Sequence, residues 1–149
     1  MKQRIVFFGS GAFGIPSLAA LHARHALEMV ITQPDRRAGR GSTLSPTPIA
    51  AWAHTHAPNI PILKPERVNE QQICAMIRER AADAWVVIAF GQKLDEALLA
   101  DRFAINLHAS LLPRWRGAAP INAAILAGDL RTGNSVITLA QQMDAGQVL

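Results

Sequence analysis

The sequence has one cysteine, no tyrosine, 5% aromatic residues and only 17% charged residues over 149 positions. A single thiol, Cys74, excludes an internal disulfide and any zinc site built from several cysteines. Folding must therefore rest on apolar burial. Half of the residues are hydrophobic, five Phe and three Trp among them, and these suffice for a sizeable core without a covalent or metal staple. No apolar run approaches the roughly 20 residues a membrane span needs. The run Ile5 to Phe8 breaks on Gly9, too short for the apolar region of a secretion signal. There is no internal repeat and no low-complexity segment. These absences lead us to expect a soluble, cytoplasmic chain that forms one globular domain or a piece of a larger one.

Acidic residues are missing from 36 to 65, a stretch that holds Arg36, Arg37, Arg40 and Lys64 in a chain of net charge +4. Such a local positive field suits a polyanion or a phosphorylated ligand. A solvated basic loop is the plainer alternative, and charge alone leaves both open.

Patterning predicts alternating strands and helices. Arg4 to Phe8 reads as a buried strand, and Pro16 falls in the first turn of a helix on which Leu18, Leu21 and His22 recur. Met29 to Thr32 is a second strand. Gln33 to Pro48, with three Pro, two Gly and three Arg, reads as a long loop. Ile49 to His56 is a helix and Ile60 to Leu63 a short strand between prolines. Asn69 is placed to cap a helix carrying Ile73, Met76 and Ile77. Ala84 to Ala89 is a continuous apolar strand of the parallel-sheet kind. Asp95 to Ala100 (helix), Phe103 to His108 (strand), Pro120 to Ala127 (helix) and Ser135 to Leu139 (strand) follow. The fold expected is α/β, a doubly wound, mainly parallel sheet that binds ligands beyond the carboxyl ends of its strands.

Four groups of residues are candidates for chemistry. Gly9, Gly11 and Gly14 match the G-x-G-x-x-G of a dinucleotide-binding turn, between a strand and a helix. That reading also needs an acid at the end of the second strand. Glu28 precedes the expected strand and Asp35 lies in the basic loop, so neither fits, and glycine also serves simply to permit a tight turn. Asn106 and His108, two apart on a strand, face the same way at the sheet edge and form a plausible clamp for an oxyanion. The segment SLLPRWRGAAP, Ser110 to Pro120, reads as a rigid loop presenting guanidinium groups, or else as a surface loop with an arginine stacked on Trp115. Asp144 follows the last strand, and Gly146 permits a turn that aims its carboxylate back at His108.

HASLLPRWRGAAPIN, preceded by Asn106 and followed by the D-x-G of Asp144 to Gly146, resembles the signature of the folate-dependent formyltransferases. Thr32 to Pro48 is similar to the corresponding loop of the branch that acts on methionyl-tRNA. The resemblance runs along essentially the whole chain. It implies a Rossmann-like formyltransferase fold and transfer of a formyl group from 10-formyltetrahydrofolate to the α-amino group of initiator methionyl-tRNA, with no metal. It implies Asn106, His108 and Asp144 as catalytic. Val87, Ala89, Phe90, Gly91 and Leu94, together with Ser110, Leu111, Leu112, Pro113 and Gly117, are implied as folate-binding. Phe13 is implied for the methionyl side chain, and Arg36, Arg37 and Arg40 for the tRNA acceptor end. Arg37 departs from the proline common at that place. A sister enzyme acting on a nucleotide sugar or on glycinamide ribonucleotide, and a non-catalytic nucleotide-binding module, are the alternatives. The resemblance further implies that residues 1 to 149 are an amino-terminal catalytic domain without the β-barrel that grips tRNA. On that reading the Asp144 loop should be poorly placed.

Overall fold

The computed structural model describes residues 1–38 and 43–149. Its strands are β1 (Arg4–Gly9), β2 (Ala26–Ile31), β3 (Arg36–Ala38), β4 (Thr43–Ser45), β5 (Ile62–Leu63), β6 (Ala84–Ile88), β7 (Ala104–His108) and β8 (Ser135–Thr138). Its helices are α1 (Ile15–Arg24), α2 (Pro48–His56), α3 (Gln71–Arg78), α4 (Glu96–Leu99) and α5 (Pro120–Leu126). Six strands form one sheet in the order β5-β2-β1-β6-β7-β8, all parallel except β8, which runs antiparallel to β7. The doubly wound α/β fold expected from the patterning is the one observed.

Alternation along β1 builds the two halves of the core. Val6 and Phe8 pack with Met29, Ile31, Trp85 and Val87 beneath Ile77 of α3. Ile5 and Phe7 face the other way, with Leu27, Val30, Val86 and Ile88, against Leu18 of α1 and Ile49 of α2. Both faces of the strands are buried, which is why AWVVIA reads as an unbroken apolar run. β2 starts earlier than the patterning suggested and contains Glu28. The β1–β2 register slips between Ile5 and Val6, so Leu27 and Met29 are successive partners and Glu28 sits in a bulge. That bulge is what breaks the alternation.

Two other expectations are corrected. The basic stretch is not a plain loop, because β3 and β4 pair as an antiparallel hairpin outside the main sheet. Asn69 does not cap α3, whose N-cap is Glu70. Its amide instead joins two segments, donating to the Lys93 carbonyl at 2.8 Å and accepting from the Asp95 N–H at 3.1 Å. Thr47 and Asp95 are the side chains that cap helices, α2 and α4. Among the described residues, no helix is long and apolar enough to cross a membrane.

Candidate active site

The strand order reverses between β1 and β6, and the crevice beyond the carboxyl ends of such strands is where doubly wound sheets bind ligands. A cavity of about 610 Å³ lies there, walled by the ends of β6 and β7, the start of α5 and the segment following β8. Asn106 and His108 both line it, as their shared strand face requires. Asp144 lines it too, so the Asp144 loop is not poorly placed.

Asp144 has a left-handed backbone (φ +52°), a conformation costly for a residue with a Cβ. The turn needs glycine at 146, where a Cβ would overlap the Thr138 carbonyl. The carboxylate is then held from two sides. Oδ2 accepts the Gly117 N–H at 2.8 Å, while Oδ1 lies 3.4 Å from the Asn106 amide nitrogen and 3.5 Å from His108 Nδ1. His108 is buried and Asp144 nearly so, which leaves little water to screen the pair.

The other imidazole nitrogen, Nε2, is 2.8 Å from the Trp115 carbonyl. A carbonyl can only accept, so Nε2 carries a proton and Nδ1 is the nitrogen turned to Asp144. Trp115 reaches this position with φ +58°. Its ring is fixed by Asp129, which accepts from Nε1 at 2.6 Å and from Arg114 at 2.8 Å, and the Arg114 guanidinium lies 5.1 Å from the ring centroid. Of the two readings of this loop, the stacked arginine holds for Arg114. Arg116 is exposed.

Val87, Ala89, Phe90, Gly91, Leu94 and Gly117 line the cavity, and so does Phe13. The 89–94 wall is held in place by hydrogen bonds from outside it. The Ala89 carbonyl accepts the Ser10 and Gly11 N–H groups, and the Phe90 carbonyl accepts Ser10 Oγ at 2.8 Å and Gln33 at 3.3 Å. Those bonds also weigh against the dinucleotide reading. The Ser10 and Gly11 N–H groups of the turn are already in use, and Gly9 is required because a Cβ would stand 2.9 Å from the Ile88 carbonyl.

Ser110, Leu111, Leu112 and Pro113 lie off the cavity wall. Ser110 is buried, while Leu111 and Pro113 are exposed. Ser110 Oγ donates to the Arg114 carbonyl at 2.6 Å, and Ser135 Oγ ties the Ser110 carbonyl to the Leu112 N–H. Sequence reasoning missed Ile137, Leu139 and Met143, which complete the apolar wall, because their place depends on β8 running antiparallel beside β7. Arg36 and Arg37 stand exposed on β3, away from the cavity wall, and Arg40 lies outside the described residues. Lys64 is taken by Asp35 at 2.6 Å, which removes it from the basic patch.

Two acid–base side chains and an amide, gathered at the strand ends of a Rossmann-like sheet around a mostly apolar cavity, suit transfer of a small carbonyl group to a nucleophile. The chain belongs to the formyl transferase family, whose sequence profile matches residues 3–149. It is 46% identical over 150 residues to the methionyl-tRNA formyltransferase of Anaeromyxobacter sp. (strain K), a match covering 99% of this chain and 47% of that protein. It is 45% identical over 149 residues to the enzyme of the same name from Xanthomonas euvesicatoria pv. vesicatoria, covering 99% and 48%. The chain thus spans about half the length of the curated relatives it matches. Among solved structures, phosphoribosylglycinamide formyltransferase from Bacillus halodurans matches with a TM-score of 0.77 at 20% identity, over 98% of this chain and 76% of that one. The Anaplasma phagocytophilum protein of the same name matches with 0.76 at 22%, over 99% and 70%. These two share the fold.

Proposed function

We propose that this chain transfers the formyl group of 10-formyltetrahydrofolate to the α-amino group of initiator methionyl-tRNA, the step that prepares it for translation initiation. The observation that carries the reading is the convergence of Asn106, His108 and Asp144 on one cavity. The identity of about 45% to methionyl-tRNA formyltransferases supports that acceptor. Acting on a charged tRNA places the reaction in the cytoplasm.

The cavity suits a pterin. About 610 Å³ is ample for a bicyclic ring and a one-carbon unit, and the walls are mostly apolar, with Gln92, Lys93, Asn122 and Thr138 adding polar groups to those of Asn106, His108 and Asp144. Val87, Phe90 and Leu94 would flank the ring, with backbone groups of Ala89 and Gly91 at its edge. The bound donor supplies an acyl carbon already open to attack. Around it, the Asn106 amide and the Nδ1–H of a doubly protonated His108 donate to the oxygen on which negative charge develops. Asp144 stabilises that imidazolium and receives the proton released by the attacking amine, directly or through water. As the tetrahedral adduct collapses, the bond between the formyl carbon and the donor nitrogen breaks and a proton passes to that nitrogen, which leaves as tetrahydrofolate. None of the three is a strong covalent nucleophile, so the amine attacks directly. Phe13 borders the cavity and would contact the methionyl side chain, while Arg36 and Arg37 on the β3–β4 hairpin, with Arg40, would meet the acceptor end of the tRNA.

Residues 1–149 are on this reading the catalytic unit, and the other half of such relatives would supply the β-barrel that grips tRNA. The test is formylation by the purified chain, alone and within a full-length protein, with methionyl-tRNA, an amino-sugar nucleotide and glycinamide ribonucleotide as acceptors. Transfer to methionyl-tRNA above the other two is expected. Preference for either small acceptor would overturn the assignment.

A further inference from the structure

We infer that Asp129 is a positioning residue for His108, acting through Trp115. The inference rests on the proposed use of His108, although the connection itself is geometric. Asp129 follows α5, just past Gly128, whose backbone (φ +71°) turns the chain out of the helix. The Asp129 N–H bonds back to the Ala124 carbonyl at 3.0 Å, so the carboxylate leaves from an anchored turn. The side chain is only 11% exposed, and both of its oxygens are used on the loop, Oδ2 by Trp115 Nε1 and Oδ1 by Arg114. One carboxylate thereby holds the indole and the guanidinium stacked beside it.

The consequence appears at the other end of the same residue. Trp115 occupies a backbone conformation that a residue with a Cβ adopts rarely, and the surroundings must hold it there. Two restraints do so: the Asp129 grip on its ring, and the Ser110 hydroxyl on the carbonyl of the preceding residue, Arg114. Held in this way, the Trp115 carbonyl faces His108 Nε2 at 2.8 Å. That acceptor keeps the proton on Nε2 and leaves Nδ1, beside Asp144 and Asn106, as the nitrogen free for chemistry. Without it the ring is free to exchange tautomers or turn. The carboxylate lines no part of the cavity, so its effect on the reaction passes through the loop.

The test uses the whole chain with ¹⁵N-labelled histidine, the His108 resonances being assigned by their loss in His108→Asn. In the wild type, long-range ¹H–¹⁵N correlation spectra should show one Nε2–H form of neutral His108. Asp129→Ala should replace it with a mixture of tautomers and lower kcat by on the order of a hundredfold, the scale of a small misplacement of a reacting group, with KM for the formyl donor nearly unchanged. Asp129→Asn keeps an oxygen for Trp115 Nε1 and should restore most of both. Trp115→Phe removes the donor but not the ring, should reproduce the alanine phenotype, and should add little to it in the double variant. If Asp129→Ala does not fold, Trp115→Phe decides by the same two readings. A folded variant with the wild-type histidine signal overturns the inference, whether its kcat is lowered or not. Absence of formyl transfer in the wild type would count against the proposed function, and the histidine spectra would then decide this inference alone.

Discussion

Asn106 is the residue on which the proposed chemistry is easiest to isolate. Its side chain lines the cavity, has Asp144 Oδ1 at a long 3.4 Å, and carries none of the core. Asn106→Ala should therefore remove one oxyanion donor with little structural cost. Losses of this kind run to about 2.7–4 kcal/mol, a few hundred-fold or more in turnover, while folate affinity changes far less. Steady-state kinetics against donor binding by fluorescence checks it, and turnover near that of the wild type would remove Asn106 from the mechanism. The residue scale is also where the backbone is strained. Ala89, Trp115 and Asp144 all have positive φ and all stand at or beside the cavity. The fourth such residue, Asp101, does not line the cavity, so three of the four strained non-glycine positions among the described residues stand where side chains must be held against their local preference.

At the scale of elements, the β3–β4 hairpin and the start of the sheet each support a measurement. The arginines proposed to meet the tRNA are Arg36 and Arg37 of β3, together with Arg40. Replacing all three by Ala should weaken use of tRNA and flatten its salt dependence by close to one unit of log–log slope per lost phosphate contact, leaving folate binding nearly intact. An unchanged slope would place the tRNA elsewhere. At the other end of the sheet, Arg4 of β1 binds Asp83, the residue before β6, through two side-chain bonds of 3.3 and 2.7 Å, and the Arg4 N–H adds a third. The guanidinium, followed by that N–H, holds the Asp83 carboxyl down at about 2. A carboxyl depressed in the folded state contributes stability that is present above its unfolded pKa of about 3.9 and is lost as pH falls toward 2. Asp83→Asn should thus be less stable than wild type at neutral pH, with the gap closing between about pH 4 and pH 2. Urea unfolding at stepped pH reads this directly.

The molecule as a whole is a sheet covered on both faces, with a separate apolar cluster on each. Leu18 belongs to one cluster and Ile77 to the other, and both are fully buried. Leu18→Ala and Ile77→Ala should each cost about 2–5 kcal/mol. Because the β-sheet stands between them and they share no partner, the double variant should lose the sum to within about 0.5 kcal/mol. Denaturant unfolding measures all three, and a double variant well short of the sum would mean that the two clusters respond as one.

Periodicity and glycine or proline punctuation were enough to place most of the elements, because a doubly buried strand and an amphipathic helix each leave a local pattern. The motif order was enough to predict the family, and the side-chain alternation of β7 put Asn106 and His108 together, since residues two apart on a strand must share a face. Local pattern failed where a residue's role depends on a distant partner. Glu28 reads as a strand boundary until β1 supplies the register that makes it a bulge, and Asn69 reads as a cap until Lys93 and Asp95 are seen to use its amide. Ser110 to Pro113 carry the family signature yet lie off the cavity wall, and the bonds that fix the start of this segment come from Ser135 on the neighbouring strand. The same holds for Asp129, which nothing local distinguishes from a solvated surface acid. Its carboxylate and the ring of Trp115 are brought together by the packing of α5 beside the loop, and so the hydrogen bond that orients His108 belongs to the tertiary structure alone.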